Sequence, residues 1–133
     1  MRYDKTKDRL RYSLSQAIFK AGLRPISSSR SQLEHWLTTL QIEASNVLDV
    51  GGALKPVKFR LKKLRCDNYR VLDIHPDGDY HWDMNYHALG SRSFHQANPS
   101  FLKEWDVIFC LEMFDYLWNP VVAFRNLTDW LKK

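Results

Sequence analysis

Four short apolar runs punctuate the chain from Asn46 onward: VLDV at 47–50, YRVLDI at 69–74, YHWDM at 80–84 and WDVIFCL at 105–111. They constrain the fold more than any other feature. The first, second and fourth lack the strict alternation of a strand with one wet face, which is the pattern of strands buried on both faces. Such strands belong to parallel sheets, and parallel neighbours need a crossover between them. Two segments have the helical period to serve. KPVKFRLKKLRC at 55–66 puts Val57, Leu61 and Leu64 on one face, with Pro56 at the first helical position. After the last run, Asn119 as N-cap and Pro120 in the first turn precede Val121, Phe124, Leu127 and Leu131 on one face. The expected fold class is α/β, a mainly parallel sheet of about four strands flanked by helices. Only HPDGD links the second and third runs, so either a tight connection joins those strands or the third run barely pairs.

Two helices are expected ahead of the sheet. Over residues 4–21, Leu10, Leu14, Ala17, Ile18 and Ala21 recur at helical spacing until Gly22 and Pro25 end the pattern. After PISSSR, Ser31 and Glu34 form a capping-box pattern before Leu33, Trp36, Leu37 and Leu40. The expected division is a helical extension over 1–44 and a sheet-bearing unit over 45–133.

At 133 residues, 44% of them hydrophobic, the chain has the apolar material for one packed core and is not a disordered tail. Its net charge of +5 permits an anionic partner without requiring one. The charge-alternating N-terminus MRYDKTKDRLRYSL is no signal peptide, and no run approaches the ~18 apolar residues of a membrane span. Cys66 and Cys110 show no CxxC spacing and read as free thiols of a reducing compartment, so the expectation is a cytoplasmic protein without membrane contact.

The chemistry concentrates at two strand ends. Asp49, Gly51 and Gly52 sit where the first strand gives way to the next segment. Glycines there let the backbone approach a ligand, and the carboxyl ends of parallel strands are where such sheets bind one. Asp73 ends the second run, where a carboxylate can accept both hydroxyl protons of a ribose. Two acids at neighbouring strand ends point to an adenosine-type ligand.

From about Asn46 to the final lysine, these residues resemble the class I S-adenosylmethionine-dependent methyltransferases, in their small type 11-like branch. LDVGGA is similar to the acid and glycine-rich turn of the family's first strand, with Ala53 and Lys55 standing where further glycines are usual. Asp73 matches the ribose-binding acid, and Asp83 in GDYHWDM the acid beside the adenine amino group. WDVIFCLEMFDYLWNP resembles the fourth strand and the helix start after it, with Glu112, Asp115, Asn119 and Pro120 on the pattern and Tyr116 where histidine is common. The resemblance implies a Rossmann-like fold, S-adenosyl-L-methionine as cofactor, and a binding set of Asp49, Gly51, Gly52, Ala53, Asp73, Ile74, Asp83, Met84, Leu111 and Glu112. It names no catalytic residue, because a sulfonium methyl is already electrophilic and the protein mainly binds and aligns. Asp115 or Tyr116 could face the methyl, or simply start the helix.

A full domain of that family continues with a glycine turn and three more strands. The resemblance therefore implies a truncated domain with an open fourth-strand edge, weak or absent turnover, and completion by dimerisation or another chain. The competing reading is a non-catalytic module that binds RNA or a partner protein through that edge or through the helix bearing Lys55, Lys58, Arg60, Lys62, Lys63 and Arg65. A nicotinamide oxidoreductase wants G-x-G-x-x-G, which Ala53 and Pro56 do not supply. His75, His81, His87 and His95 have no compact ligand spacing, so no metal is expected. Trp82, Trp105, Trp118 and Trp130 read as core or rim aromatics, with Trp82 placed to line an adenine pocket.

Overall fold

The computed structural model describes residues 28–54, 56–89, 91–92, 94, 101–111 and 113–133. The helix expected over 4–21 lies outside them. The elements are helix α1 (Ser28–Thr39), strand β1 (Gln41–Val50), a 3-10 turn at Val57–Phe59, β2 (Lys63–Asp73), β3 (Tyr80–His81), β4 (Val107–Phe109), a 3-10 turn at Phe114–Tyr116 and α2 (Pro120–Trp130). The strands form one sheet in the order β3-β2-β1-β4, and every pairing is parallel. The chain is thus an α/β structure built on a parallel sheet, as its apolar runs predict.

β1 and β2 pair from Gln41↔Lys63 to Val50↔Leu72, whereas β4 reaches only Val47–Asp49 and β3 only Leu72 and Asp73. Hence β1 has two textures. Gln41 to Asn46 alternate exposed and half-buried, while Val47 to Asp49, flanked by strands on both sides, and Val50 after them are all buried. Successive strand residues face opposite sides of a sheet. Leu48, Val50 and Leu72 join Trp105, Trp130, Phe101 and Ala123 in one core, and Val47 packs with Leu37, Val57, Leu61 and Phe109 in the other.

The largest correction falls between β1 and β2. The helix expected over 55–66 is a single 3-10 turn, and β2 already starts at Lys63. Leu61 and Leu64 are core-facing residues of a loop and a strand, not of one helical stripe with Val57. Side chains from the sheet hold the turn: Val57 N–H donates to Asp49 Oδ2 at 2.8 Å and Lys58 N–H to the Tyr69 hydroxyl at 3.2 Å. Residues 51–62 thus span the crossover with about the dozen residues that is its lower limit. The described residues form no basic helix to serve as an RNA footprint, and Lys55 lies outside them. Lys58, Lys62, Lys63 and Arg65 are exposed on a turn, a loop and a strand, and Arg60 is buried.

Three smaller differences follow. Ser31 lies inside α1 rather than at its cap, since the helix begins at Ser28; Leu37 is buried while Trp36 faces solvent. β1 begins at Gln41, not Val47, and crosses the division expected at residue 45. In α2 the buried residues are Ala123, Asn126 and Trp130, whereas Val121 and Phe124 are each 62% exposed. The helix is turned this way because the Asn126 amide accepts from Ala88 N–H at 2.8 Å and donates to the Tyr86 carbonyl at 2.9 Å, which fixes it inward.

The short β2–β3 link satisfies both alternatives raised for it. The connection is tight, with Asp79 Oδ2 taking Val71 N–H at 2.7 Å in place of a strand partner, and β3 pairs over two residues only. β4 is an outer strand of the described sheet, and beyond α2 the chain returns to it: Trp105 N–H donates to the Trp130 carbonyl and Lys132 N–H to the Trp105 carbonyl, a parallel bridge of Trp105 with Leu131. No helix among the described residues is long and apolar enough to cross a membrane.

Candidate functional site

All four strands deliver residues to one cleft of about 190 Å³ at their carboxyl ends. Val50 ends β1 and Gly51 follows it; Leu72 and Asp73 end β2 and Ile74 follows it; Trp82, Asp83, Met84 and Asn85 follow β3; Met113, Tyr116 and Leu117 follow β4. This is where open parallel sheets bind ligands, because the chain diverges there and leaves a crevice.

The two adjacent glycines have different reasons to be glycine. Gly51 has φ +79°, a left-handed conformation that side chains resist, and a Cβ there would lie 3.2 Å from Met113 across the cleft. Its N–H donates to the Leu72 carbonyl at 2.8 Å, joining the ends of β1 and β2. Gly52 faces away from the cleft, and a Cβ there would fall 2.1 Å from Asp49 Oδ2. The second glycine makes room for a carboxylate of the chain itself.

Asp49 does not line the cleft. Strand alternation sends it to the face opposite Val50, where it is 1% exposed and its Oδ2 accepts both Val57 N–H and the Tyr69 hydroxyl. Burial pushes its carboxyl up to about 6, against the lowering effects of the Tyr69 hydroxyl, the Val57 N–H and the Arg60 charge. Burial and the adjacent Asp49 together push the Tyr69 hydroxyl far above its ordinary range, so it stays the donor. Replacing Tyr69 with Phe leaves the buried carboxylate one donor and is expected to cost about 2 kcal/mol, read as a lowered urea midpoint at pH 7.

Asp73 does line the cleft. Its Oδ2 accepts Ala53 N–H at 3.0 Å and its Oδ1 accepts His75 N–H at 2.9 Å. A carboxylate has about four acceptor positions, so each oxygen keeps capacity for a ligand hydroxyl. Asp83 Oδ1 accepts from both the backbone and the side-chain nitrogen of Asn85 at 2.9 Å, and Asp83 Oδ2 takes no hydrogen bond among the described residues. Asn85 Oδ1 in turn accepts Trp118 N–H at 2.9 Å and Asn119 N–H at 3.1 Å, tying the cleft floor to the start of α2.

Of the residues expected to bind, the structure brings Gly51, Asp73, Ile74, Asp83 and Met84 to the cleft, with Trp82 beside them. Asp49 and Gly52 lie behind it, Ala53 contributes its N–H to Asp73, and Leu111 packs in the opposite core. Glu112 lies outside the described residues. Tyr116 lines the cleft and Asp115 does not. Val50, Leu72, Asn85, Met113 and Leu117 also line the cleft and are outside the set expected from sequence, although Asn85 directly follows the third apolar run, where a polar residue at a strand end is a usable signal.

No serine, cysteine, lysine or histidine is among the described residues lining the cleft. Cys66 and Cys110 are free thiols, and burial pushes Cys110 up to about 12, so it is no thiolate nucleophile at neutral pH. His75, His81 and His87 do not converge, and His95 lies outside the described residues. No group of three His, Cys, Asp or Glu suited to a metal ion occurs among the described residues. The cleft offers two carboxylates, an amide and a phenol set in apolar walls, which suits binding and orienting a polyhydroxyl ligand with a planar end. No family model, curated protein or solved structure matches the chain.

Proposed function

We propose that the cleft is the nucleoside-binding half of an S-adenosyl-L-methionine-dependent methyltransferase site on a Rossmann-like sheet. The observation that carries this reading is Asp73. It is a carboxylate at the end of β2, lining the cleft and held by two backbone N–H groups with acceptor capacity to spare. That is the chemistry a pair of ribose hydroxyls requires. The order β3-β2-β1-β4 is also the first half of a doubly wound sheet.

The donor set fits the cofactor's nucleoside. Asp73 would take the ribose hydroxyls, Asp83 Oδ2 the adenine amino group, and Ile74, Trp82 and Met84 the faces of the base. Gly51 lets the backbone approach, and its lack of a Cβ keeps the gap to Met113 open. A cleft of about 190 Å³ is below the ~300 Å³ from which small-molecule sites usually start, so on this reading it would enclose part of the nucleoside, and the rest of the cofactor would extend past its mouth. Bound, the cofactor supplies an electrophilic methyl group, for which the chain needs no nucleophile of its own. The alternative, a module that binds RNA or a partner protein, loses the basic helix but keeps the outer strand β4 and the exposed Lys58, Lys62, Lys63 and Arg65.

Calorimetry with S-adenosylhomocysteine tests the reading. Binding is expected, and Asp73→Ala is expected to weaken it about 30-fold, the equivalent of about 2 kcal/mol for hydrogen bonds to a charged acceptor. Asp73→Ala also releases Ala53 and His75 N–H, so Asp83→Asn serves as the second variant. It should reduce the preference for S-adenosylhomocysteine over its inosine counterpart. Absence of binding, or variants indistinguishable from the parent, refutes the assignment.

A further inference from the structure

We propose that the rim formed by Tyr116, Trp118 and Tyr86 binds a planar aromatic ring, the ring-bearing part of the methyl acceptor. The inference deepens the methyl-transfer reading and rests on it for the ring's role. Single exposed apolar residues are ordinary, but here Tyr116 lines the cleft while Trp118 and Tyr86, each next in sequence to a lining residue, pair with one another. Tyr116 lines the cleft and is 84% exposed. Trp118 adjoins the lining residue Leu117, Tyr86 adjoins the lining residue Asn85, and their rings meet edge to face at 5.9 Å while staying 69% and 57% exposed.

The rim is held in place from beneath by polar groups. Asn85 Oδ1 accepts the Trp118 and Asn119 N–H groups, and the Tyr86 carbonyl accepts Trp82 Nε1–H at 3.0 Å and the buried Asn126 amide at 2.9 Å. The backbones carrying Tyr86 and Trp118 are therefore positioned before any ligand arrives, which removes part of the ordering cost of binding. Those rings contribute little to the core, since most of their surface is wet. Tyrosine and tryptophan with free faces select flat π-systems over saturated rings of the same size, because offset and edge-to-face stacking add to area burial. Among the described residues, the charged groups lining the cleft are Asp73 and Asp83.

The test titrates the full chain with 2-naphthol and with trans-2-decalol, its saturated counterpart, following the Trp118 indole N–H and the Tyr86 and Trp118 amides by NMR. Expected are shifts at those groups with 2-naphthol and at least about tenfold weaker binding of decalol. Trp118→Ala should weaken 2-naphthol about tenfold and Trp118→Phe restore most of it, with S-adenosylhomocysteine affinity unchanged within about twofold. Equal binding of the two probes, or an unaffected Trp118→Ala variant, overturns the proposal. So does a parallel loss of S-adenosylhomocysteine affinity, which would assign the rim to the nucleoside. If 2-naphthol behaves as expected while S-adenosylhomocysteine does not bind at all, the ring site stands and the methyl-transfer reading falls.

Discussion

Gly52→Ala is expected to leave little cooperatively folded protein. The new Cβ would occupy space 2.1 Å from Asp49 Oδ2, 2.2 Å from its Cγ and 2.5 Å from Oδ1. The carboxylate cannot swing aside, because it is buried and its Oδ2 is held by Val57 N–H and the Tyr69 hydroxyl. Moving it would strand two buried donors and unseat the turn that carries Val57, a core residue. The combined cost is at least about 4 kcal/mol, a large share of a typical domain's stability. Gly51→Ala meets Met113 Cβ and Cγ at 3.2 Å, a contact that a shift of a few tenths of an ångström relieves, and a positive φ, for roughly 1–2 kcal/mol from the backbone conformation. A double-mutant cycle checks the cause. If the clash with Asp49 is responsible, Asp49→Ala in the Gly52→Ala background recovers stability, so the pair is strongly non-additive. Additive losses in urea denaturation would show that Gly52 is needed for something else.

That result bears on how the segment LDVGGA is to be read. Its spacing suggests a turn opened for a ligand, and Gly51 fits this, since it lines the cleft. Asp49 and Gly52 instead form a lock behind the sheet. The difference was decidable from strand parity alone: if Val50 faces the cleft, Asp49 faces the other side. Asp73, Ile74, Asp83 and Met84 were legible because they follow strand ends, where direction is set by topology rather than by fine packing.

Other features were hidden by competing signals. Val57, Leu61 and Leu64 have helical spacing, but KLRCDN also alternates with period two, and Lys63, Arg65 and Asp67 are the exposed set of a strand. Pairing with β1 decided in favour of the strand, helped by the Asp49 and Tyr69 contacts that hold the preceding turn. In α2, a stripe of Val121 and Phe124 is as apolar as one of Ala123 and Trp130. The buried Asn126 between the latter two turns the helix, and hydrophobicity does not select an asparagine for a core position. Its role depends on Tyr86 and Ala88, some 40 residues away in sequence, and no local pattern reveals that.

Asp49 also makes the fold sensitive to pH, in a direction opposite to most carboxylates. Its carboxyl is raised from 3.8 to about 6 in the folded chain, chiefly by burial. Between those values the unfolded chain has lost the proton while the folded chain keeps it, so stability falls as pH rises. The contribution is complete below about pH 4 and gone above about pH 6, a change on the order of 3 kcal/mol across the window. Asp106 acts the other way and lower on the scale: its carboxyl is held below 3.8, first by the hydrogen bond from Lys132 and then by Asn46 N–H. Its stabilising effect is therefore present above pH 4 and is lost only as the pH falls further. Asp49→Asn separates the two. The amide oxygen can accept both Val57 N–H and the Tyr69 hydroxyl, which the parent directs to a single oxygen, and it does not titrate. Urea denaturation from pH 4 to pH 7 is expected to show a decline in the parent and a nearly flat profile in Asp49→Asn. The slope is diagnostic whatever the variant's absolute stability. An identical slope in both proteins would mean that the buried carboxyl at the end of β1 ionises as readily folded as unfolded, and the lock formed with Tyr69 and Gly52 would have to be redrawn.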